Sequence, residues 1–301
     1  MAMKYDSYEV SWHNINWPAV ILLGLVHLFA LLAFSPKFFS WSAVCLMFFL
    51  YWVTASLGIC LGFHRYLTHR SFELPKWLAY FFVFCGVLAC ENGPIKWVAQ
   101  HRMHHMGSDT SEDPHSARSK PFWWPHIGWM LFKNEKFDSK KVIDERCGDL
   151  IEDGVYVIIN NFVVIIAIQV ILSVILLYLG GWSWVIWGIF VRLVVTWHAT
   201  WFINSASHWF GYKNFKMNDL STNCWWAGIL AFGEGWHNNH HAFPLSANHG
   251  MKPGEIDLTW FFIKILKKIG LVTDIINTVI VGETAVLVKD NKSLKRQPIL
   301  V

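Results

Sequence analysis

The chain has 301 residues and a formal net charge of +4, with 54% hydrophobic, 17% aromatic and 15% charged residues. Soluble domains carry roughly 25% charged residues, and 19 Trp with 23 Phe exceed what a soluble core of this size needs. Trp favours membrane interfaces, so the composition argues against a water-soluble globular protein, and the modest charge gives no reason to expect nucleic acid.

In chain order, Met1 to Trp17 is polar and lacks the charged-then-apolar pattern of a secretory leader. Targeting is therefore expected to fall to the spans. Apolar runs follow at about 17–34, 42–63, 157–179 and 182–203. A span needs about 20 apolar residues, so all four qualify. The first two are joined by Ser35–Trp41 and the last two by Gly180–Gly181, which makes two hairpins. A fifth run, Leu78–Cys90, is shorter and leads into Glu91, Asn92, Gly93 and Pro94, so it is expected to lie in the interface or re-enter the membrane.

Lys and Arg crowd into 65–156 and 213–301, whereas the N-terminus and the two short loops hold only Lys4 and Lys37. Positive residues favour the cytoplasmic side, which puts both termini there. The expectation is an all-α integral membrane protein with four transmembrane helices in two hairpins. A helical cytoplasmic cap covers about 64–156 and 204–288, in one domain over 1–301 with a disordered basic tail over 289–301. The six cysteines form no C-x-x-C pair and read as buried free thiols.

Nine of the 15 His fall in four clusters: His64 and His69; His101, His104 and His105; Asn204 with His208; and His237, His240 and His241. All lie at or just beyond the expected cytoplasmic ends of apolar segments. In H-x-x-H-H the rings stand at i, i+3 and i+4, on one helix face, and Asn204 and His208 are also four apart. His64 and His69 are five apart, about 140° around an ideal helix, and need a distorted turn or a metal shared with another segment. The single residues His13, His27, His115, His126, His198 and His249 read as ordinary hydrogen-bonded histidines at the interface.

Burying nine imidazoles without partners would be costly, and neutral imidazole is a good metal ligand. So many nitrogens exceed the needs of one ion, so two ions are expected. A structural zinc site closes with four ligands, often including Cys. Haem would not explain the adjacent pairs His104-His105 and His240-His241. Iron with open positions, beside a greasy interior, points to oxidation of a lipid.

H-x4-H, two H-x-x-H-H boxes and an N-x3-H between them resemble the histidine boxes of membrane fatty-acid desaturases. The strings Gly62–Phe72 (GFHRYLTHRSF), Asp113–His115 (DPH), His126–Trp129 (HIGW), Asn204–His208 (NSASH) and Gly233–His237 (GEGWH) resemble the delta-9 acyl, stearoyl-CoA desaturase-like branch. The resemblance covers roughly residues 17–250.

The resemblance implies a di-iron cap. One iron would be held by His64, His69, His101, His105 and His240. The other would be held by His104, His208, His237 and His241, with Asn204 acting through a water. Asp109, Asp113 and Glu234 are candidates to fix the ligand rings, and Trp97, Thr200 and Trp201 to line a kinked substrate tunnel. The implied reaction is O2-dependent insertion of a cis double bond into a saturated acyl chain, using two external electrons.

No H-P-G-G haem motif follows the last box, so a separate donor such as ferredoxin or cytochrome b5 is expected. Lys133, Lys136, Lys140 and Lys141 offer it a basic surface. Arg118 and Lys120 are candidates to meet a phosphate on the head group, whether acyl-CoA, acyl-lipid or acyl carrier protein. A lipid hydroxylase with the same metal site and a non-catalytic haem or metal carrier in the membrane are the rival readings.

Overall fold

Ordered by local caps and apolar runs, the helices follow the polar punctuation of the sequence; the computed structural model describes residues 3–5, 8–118, 120–289 and 292–298. Helix α1 is Trp17–Ala30, with proline in its first turn, and it continues as a 3-10 turn to Phe34. Helix α2 is Trp41–Thr68, started by the Ser40 hydroxyl accepting the Ala43 N–H at 3.2 Å. It is α-helical to Tyr51 and π-helical over Trp52–Thr68. Helix α3, Lys76–Val87, is a shorter apolar helix packed on α2. Helix α4, Pro94–Gly107, follows it.

Close approach fixes α3 on α2. A Cβ added at Gly58 would lie 2.4 Å from the backbone C of Cys85, and one at Gly62 would lie 2.8 Å from the Phe82 carbonyl oxygen. Backbone cannot step aside as a flexible side chain can. Gly58→Ala is expected to destabilise the protein by about 1–3 kcal/mol or more, read as a lower melting temperature in detergent. An unchanged melting temperature would contradict this packing.

The apolar run expected from residue 157 is interrupted. Gly154–Ile159 is a separate short helix, and the next helix starts after Asn161, whose side chain accepts the Val163 N–H at 2.9 Å. Asn160 caps a different element, its Oδ1 accepting the N–H groups of Ile95 and Lys96 at the start of α4, both at 3.1 Å. Helix α5, Phe162–Val185, contains Gly181 at φ 69° and ψ −164°, outside helical space. A π turn, Ile186–Val191, leads into α6, Arg192–Ser205. The chain doubles back at Gly181: Arg192 donates to Gln169 Oε1 at 3.0 Å. In a straight helix those residues would stand roughly 34 Å apart.

Among the described residues, three helices are long and apolar enough to cross a membrane: Trp17–Phe34, Trp41–Thr68 and Phe162–His208. Their outer faces expose Leu25, Leu28, Phe48, Phe49, Val170 and Val174. Contiguous apolar faces of this kind belong in lipid, so this is a membrane protein. Buried Phe63, Val87, Val98, Trp197 and Trp201 of α2, α3, α4 and α6 form the main core.

The fold is mostly helical rather than all-α. Strands β1 (Met3–Tyr5) and β2 (Tyr8–Val10) pair antiparallel, and β3 (Ile276–Val281), β4 (Thr284–Lys289) and β5 (Lys292–Pro298) form an antiparallel sheet in that order. The runs INTVIV and TAVLV are rich in β-branched residues and flank a turn in which Gly282 takes φ 59°, so the end of the expected helical cap is a hairpin. The backbone of 292–298 is a strand paired with β4 where a disordered tail was expected. Residues 290–291 and 299–301 lie outside the described residues.

Candidate metal centre

The ends of α2 and α4, the 3-10 turn Ala206–His208 after α6, and a short helix α7, His237–Ala242, meet at one end of the bundle. The i+5 spacing of His64 and His69 is resolved by the backbone. The Trp52–Thr68 segment is wound with i→i+5 bonds, and the His69 N–H donates to the His64 carbonyl at 3.1 Å. That wider winding brings residues five apart back toward the same side, and the two rings lie 4.8 Å apart. Such windings are frequent at functional sites.

The nine rings form two groups, in each of which the candidate ligand atoms lie within 4.8 Å of one another: His64, His69, His101, His105 and His240, and then His104, His208, His237 and His241. The H-x-x-H-H of α4 is divided, His101 and His105 facing one group and His104 the other. In the first group Nε2 atoms face each other at 3.1 Å (His64 and His240), 3.1 Å (His101 and His105) and 2.9 Å (His105 and His240). In the second they do so at 3.2 Å (His104 and His241) and 3.0 Å (His208 and His237). Two nitrogens at right angles on an ion about 2.1 Å away stand roughly 3.0 Å apart. His69 Nε2 is buried with no acceptor or donor in reach. A set of inward-facing lone pairs, one of them orphaned, fits metal ions.

Four of the opposite ring nitrogens face carboxylates. Nδ1 of His64 lies 2.6 Å from Glu234, that of His104 2.9 Å from Asp113, that of His208 2.9 Å from Asp109 and that of His241 2.7 Å from Asp219. The hydrogen bonds at His104, His208 and His241 place N–H on Nδ1 and turn the Nε2 lone pair inward, and the His64–Glu234 contact fixes the position of that ring. Burial and then the neighbouring rings hold His69, His101, His105, His237, His240 and His241 well below the usual histidine range, in the neutral form that binds metal. Burial alone would raise Asp113, but the His104 and His115 rings bring it to about 2.

Asp219 was not singled out in the sequence; it lies in a polar loop between boxes with no motif around it. Asp219→Ala should weaken metal binding in the second group about 10–100-fold. Equilibrium dialysis with ferrous ion checks this, and unchanged affinity would refute it. His115 and His249 were read as interfacial but are buried in the site: His115 Nδ1 lies 3.6 Å from Asp113, and the His249 ring lies 4.5 Å from that of His240. His27, His198, His126 and the Ser205 hydroxyl form a hydrogen-bonded row at 3.1, 3.0 and 2.9 Å, away from both groups.

A cavity of about 850 Å³ runs beside the first group, and Trp97, Thr200, Trp201, Asn204 and His101 are among its lining residues. Trp97 stacks on His101 at 5.1 Å and 28°. Glu91 also lines this cavity, where burial raises its carboxyl to about 8 despite hydrogen bonds from Thr200 and Trp97.

Two surface expectations change. Lys136, Lys140 and Lys141 pair with Glu112, Asp144 and Glu145, so this surface is largely neutralised. Arg118 is spent on the carbonyl oxygens of Asp109 and Asn218 at 3.1 and 3.0 Å, and Lys120 is buried, so neither stands free for a phosphate.

The model of the family described as fatty acid desaturase matches residues 39–252. The chain is 51% identical over 262 residues to the sn-1 stearoyl-lipid 9-desaturase of Anabaena variabilis, covering 87% of this chain and 94% of that one. It is 53% identical over 259 residues to the enzyme of the same description from Synechocystis sp. (strain ATCC 27184 / PCC 6803 / Kazusa), covering 86% and 80%. To the sn-2 palmitoyl-lipid 9-desaturase of Nostoc sp. (strain 36) it is 43% identical over 272 residues, covering 90% and 94%. The chain belongs to the fatty acid desaturase family, in its delta-9 acyl desaturase branch. It is an oxidoreductase that desaturates fatty-acyl chains.

Proposed function

We propose that this enzyme inserts a cis double bond at the delta-9 position of a stearoyl chain carried by a membrane glycerolipid. The observation that carries the reading is the convergence of nine imidazoles into two buried groups beside an 850 Å³ cavity. The lipid head group follows two relatives above 50% identity, both described as sn-1 stearoyl-lipid 9-desaturase.

One iron is held by His64, His69, His101, His105 and His240. The other is held by His104, His208, His237 and His241, with Asn204 placing a water. Iron bound there supplies the activation of O2 that removal of two unactivated hydrogens requires. The protein's own part is positional. Asp109, Asp113, Asp219 and Glu234 aim the rings. Trp97, Thr200 and Trp201 line the acyl chain's path, so that one methylene pair faces the centre and proximity selects the bond. The buried wall excludes water.

The reversal at Gly181 divides Phe162–His208 into two crossings. With α1 and α2 this makes four, in one domain, with both termini and the histidines on the cytoplasmic face. Two electrons arrive from a separate carrier such as a ferredoxin or cytochrome b5.

Expression in a host lacking delta-9 desaturation, followed by analysis of intact lipids, tests this. New cis-9 monoenes in glycerolipids are expected. Hydroxylated chains without new double bonds would overturn the desaturase reading, and monoenes confined to acyl thioesters would overturn the lipid head group.

A further inference from the structure

Glu234 attracts more donors than holding one ligand ring requires. Its Oε1 accepts Arg65 Nε at 3.1 Å and Arg65 Nη2 at 2.9 Å. Its Oε2 lies 2.6 Å from His64 Nδ1 and 3.0 Å from His249 Nδ1. A carboxylate offers about four lone-pair positions, and four nitrogens claim them. Neither ring meets Oε2 in line with its N–H, as two donors sharing one oxygen must compromise.

His249 is the member of this set without another task. Its ring is 0% exposed and Nε2 has no partner. It lies 4.5 Å from the His240 ring and 5.4 Å from the His64 ring. Its backbone is pinned on both sides: the N–H donates to Asp257 Oδ2 at 2.9 Å and the carbonyl accepts Asn239 Nδ2 at 2.8 Å. Asp257 Oδ2 also accepts Arg65 Nη1 at 2.9 Å, which ties His249 and Arg65 to one frame. Leaving a buried ring nitrogen unpaired is costly, and packing alone would be served as well by an apolar side chain. Glu234 also borders a void of about 50 Å³ lined by His64, His101 and His237, so there is space for its carboxylate to turn toward the first group.

We propose that His249 is a positioning residue: with Arg65 it occupies the lone pairs of Glu234, so that the carboxylate stays on His64 and does not swing onto the metal of the first group. The inference rests on the reading that this group holds iron.

The test is chelator-driven release of iron from purified ferrous protein, followed by the absorbance of the ferrous chelate, with near-infrared circular dichroism of the ferrous site. Wild type releases iron in two phases, and the phase absent from His69→Ala protein belongs to the first group. His249→Phe, which removes the donor, speeds that phase about tenfold and shifts its near-infrared band, while the other phase is unchanged. His249→Gln, which keeps an N–H for Oε2, stays within about twofold of wild type. Should the phenylalanine variant not fold, His249→Ala carries the same expectation. Unchanged release and spectrum, or equal acceleration of both phases, overturns the role of His249. Wild-type protein that binds no iron would instead overturn the metal reading beneath it.

Discussion

His104→Ala protein is expected to lose activity by at least about hundredfold and to retain about one iron per chain instead of about two. His104 is the one ring of α4 that faces the second group, where its Nε2 lies 3.2 Å from that of His241. Its Nδ1 is held by Asp113, and the ring is 1% exposed. No other described side chain is placed to substitute: the nearest ring, His115, is itself turned toward Asp113 at 3.6 Å. The first group is untouched, so iron there should persist. Product formation per hour and iron by elemental analysis check this together. Full activity, or loss of both irons, would contradict the division of the α4 histidines.

Glu234→Leu should cost about 3–5 kcal/mol of stability. The substitution fills the space but strands two guanidinium donors of Arg65, which is 0% exposed. Asp257 and the Ala247 carbonyl oxygen hold only Nη1, at 2.9 and 2.7 Å. Glu234→Gln, which keeps one oxygen acceptor, should lose less. Burial alone would raise the Glu234 carboxyl, but the Arg65 guanidinium, and then the His64 and His249 rings, hold it well below the usual carboxylate range. A group depressed on folding adds stability that is complete above the unfolded value, about pH 4.3 for Glu. That stability is lost as pH falls through the folded value. The gap between wild type and Glu234→Leu should therefore be widest near neutral pH and should close only in strong acid. A gap constant with pH would mean that volume, not charge, is what Glu234 contributes.

How much of this was legible in the sequence depended on whether a feature has a period. The spacing of the α4 box put its three rings on one helix face, and only the resemblance to the desaturase boxes set His104 apart from His101 and His105, while the apolar runs located the spans without fixing where the third begins. The His64–His69 spacing pointed only to some distortion, since i→i+5 winding leaves no mark in residue type. The break at Asn160–Asn161 is carried by two side chains capping two different helices, one of them 65 residues away in sequence. Asp219, His249 and Asp257 reach the site from loops, where no periodicity links them to the boxes. Arg65 stood inside a recognised string, but its burial against two carboxylates depends on residues 169 and 192 positions further on. The hairpin of β3 and β4 was readable from β-branched runs around Gly282, and was obscured by the helical expectation for the cap.

The iron content of the detergent-purified protein decides whether the two imidazole groups are metal sites. About two non-haem irons per chain are expected from two imidazole groups with more nitrogens than one ion can use. Iron-free protein with full activity, or iron carried only as haem, would contradict it.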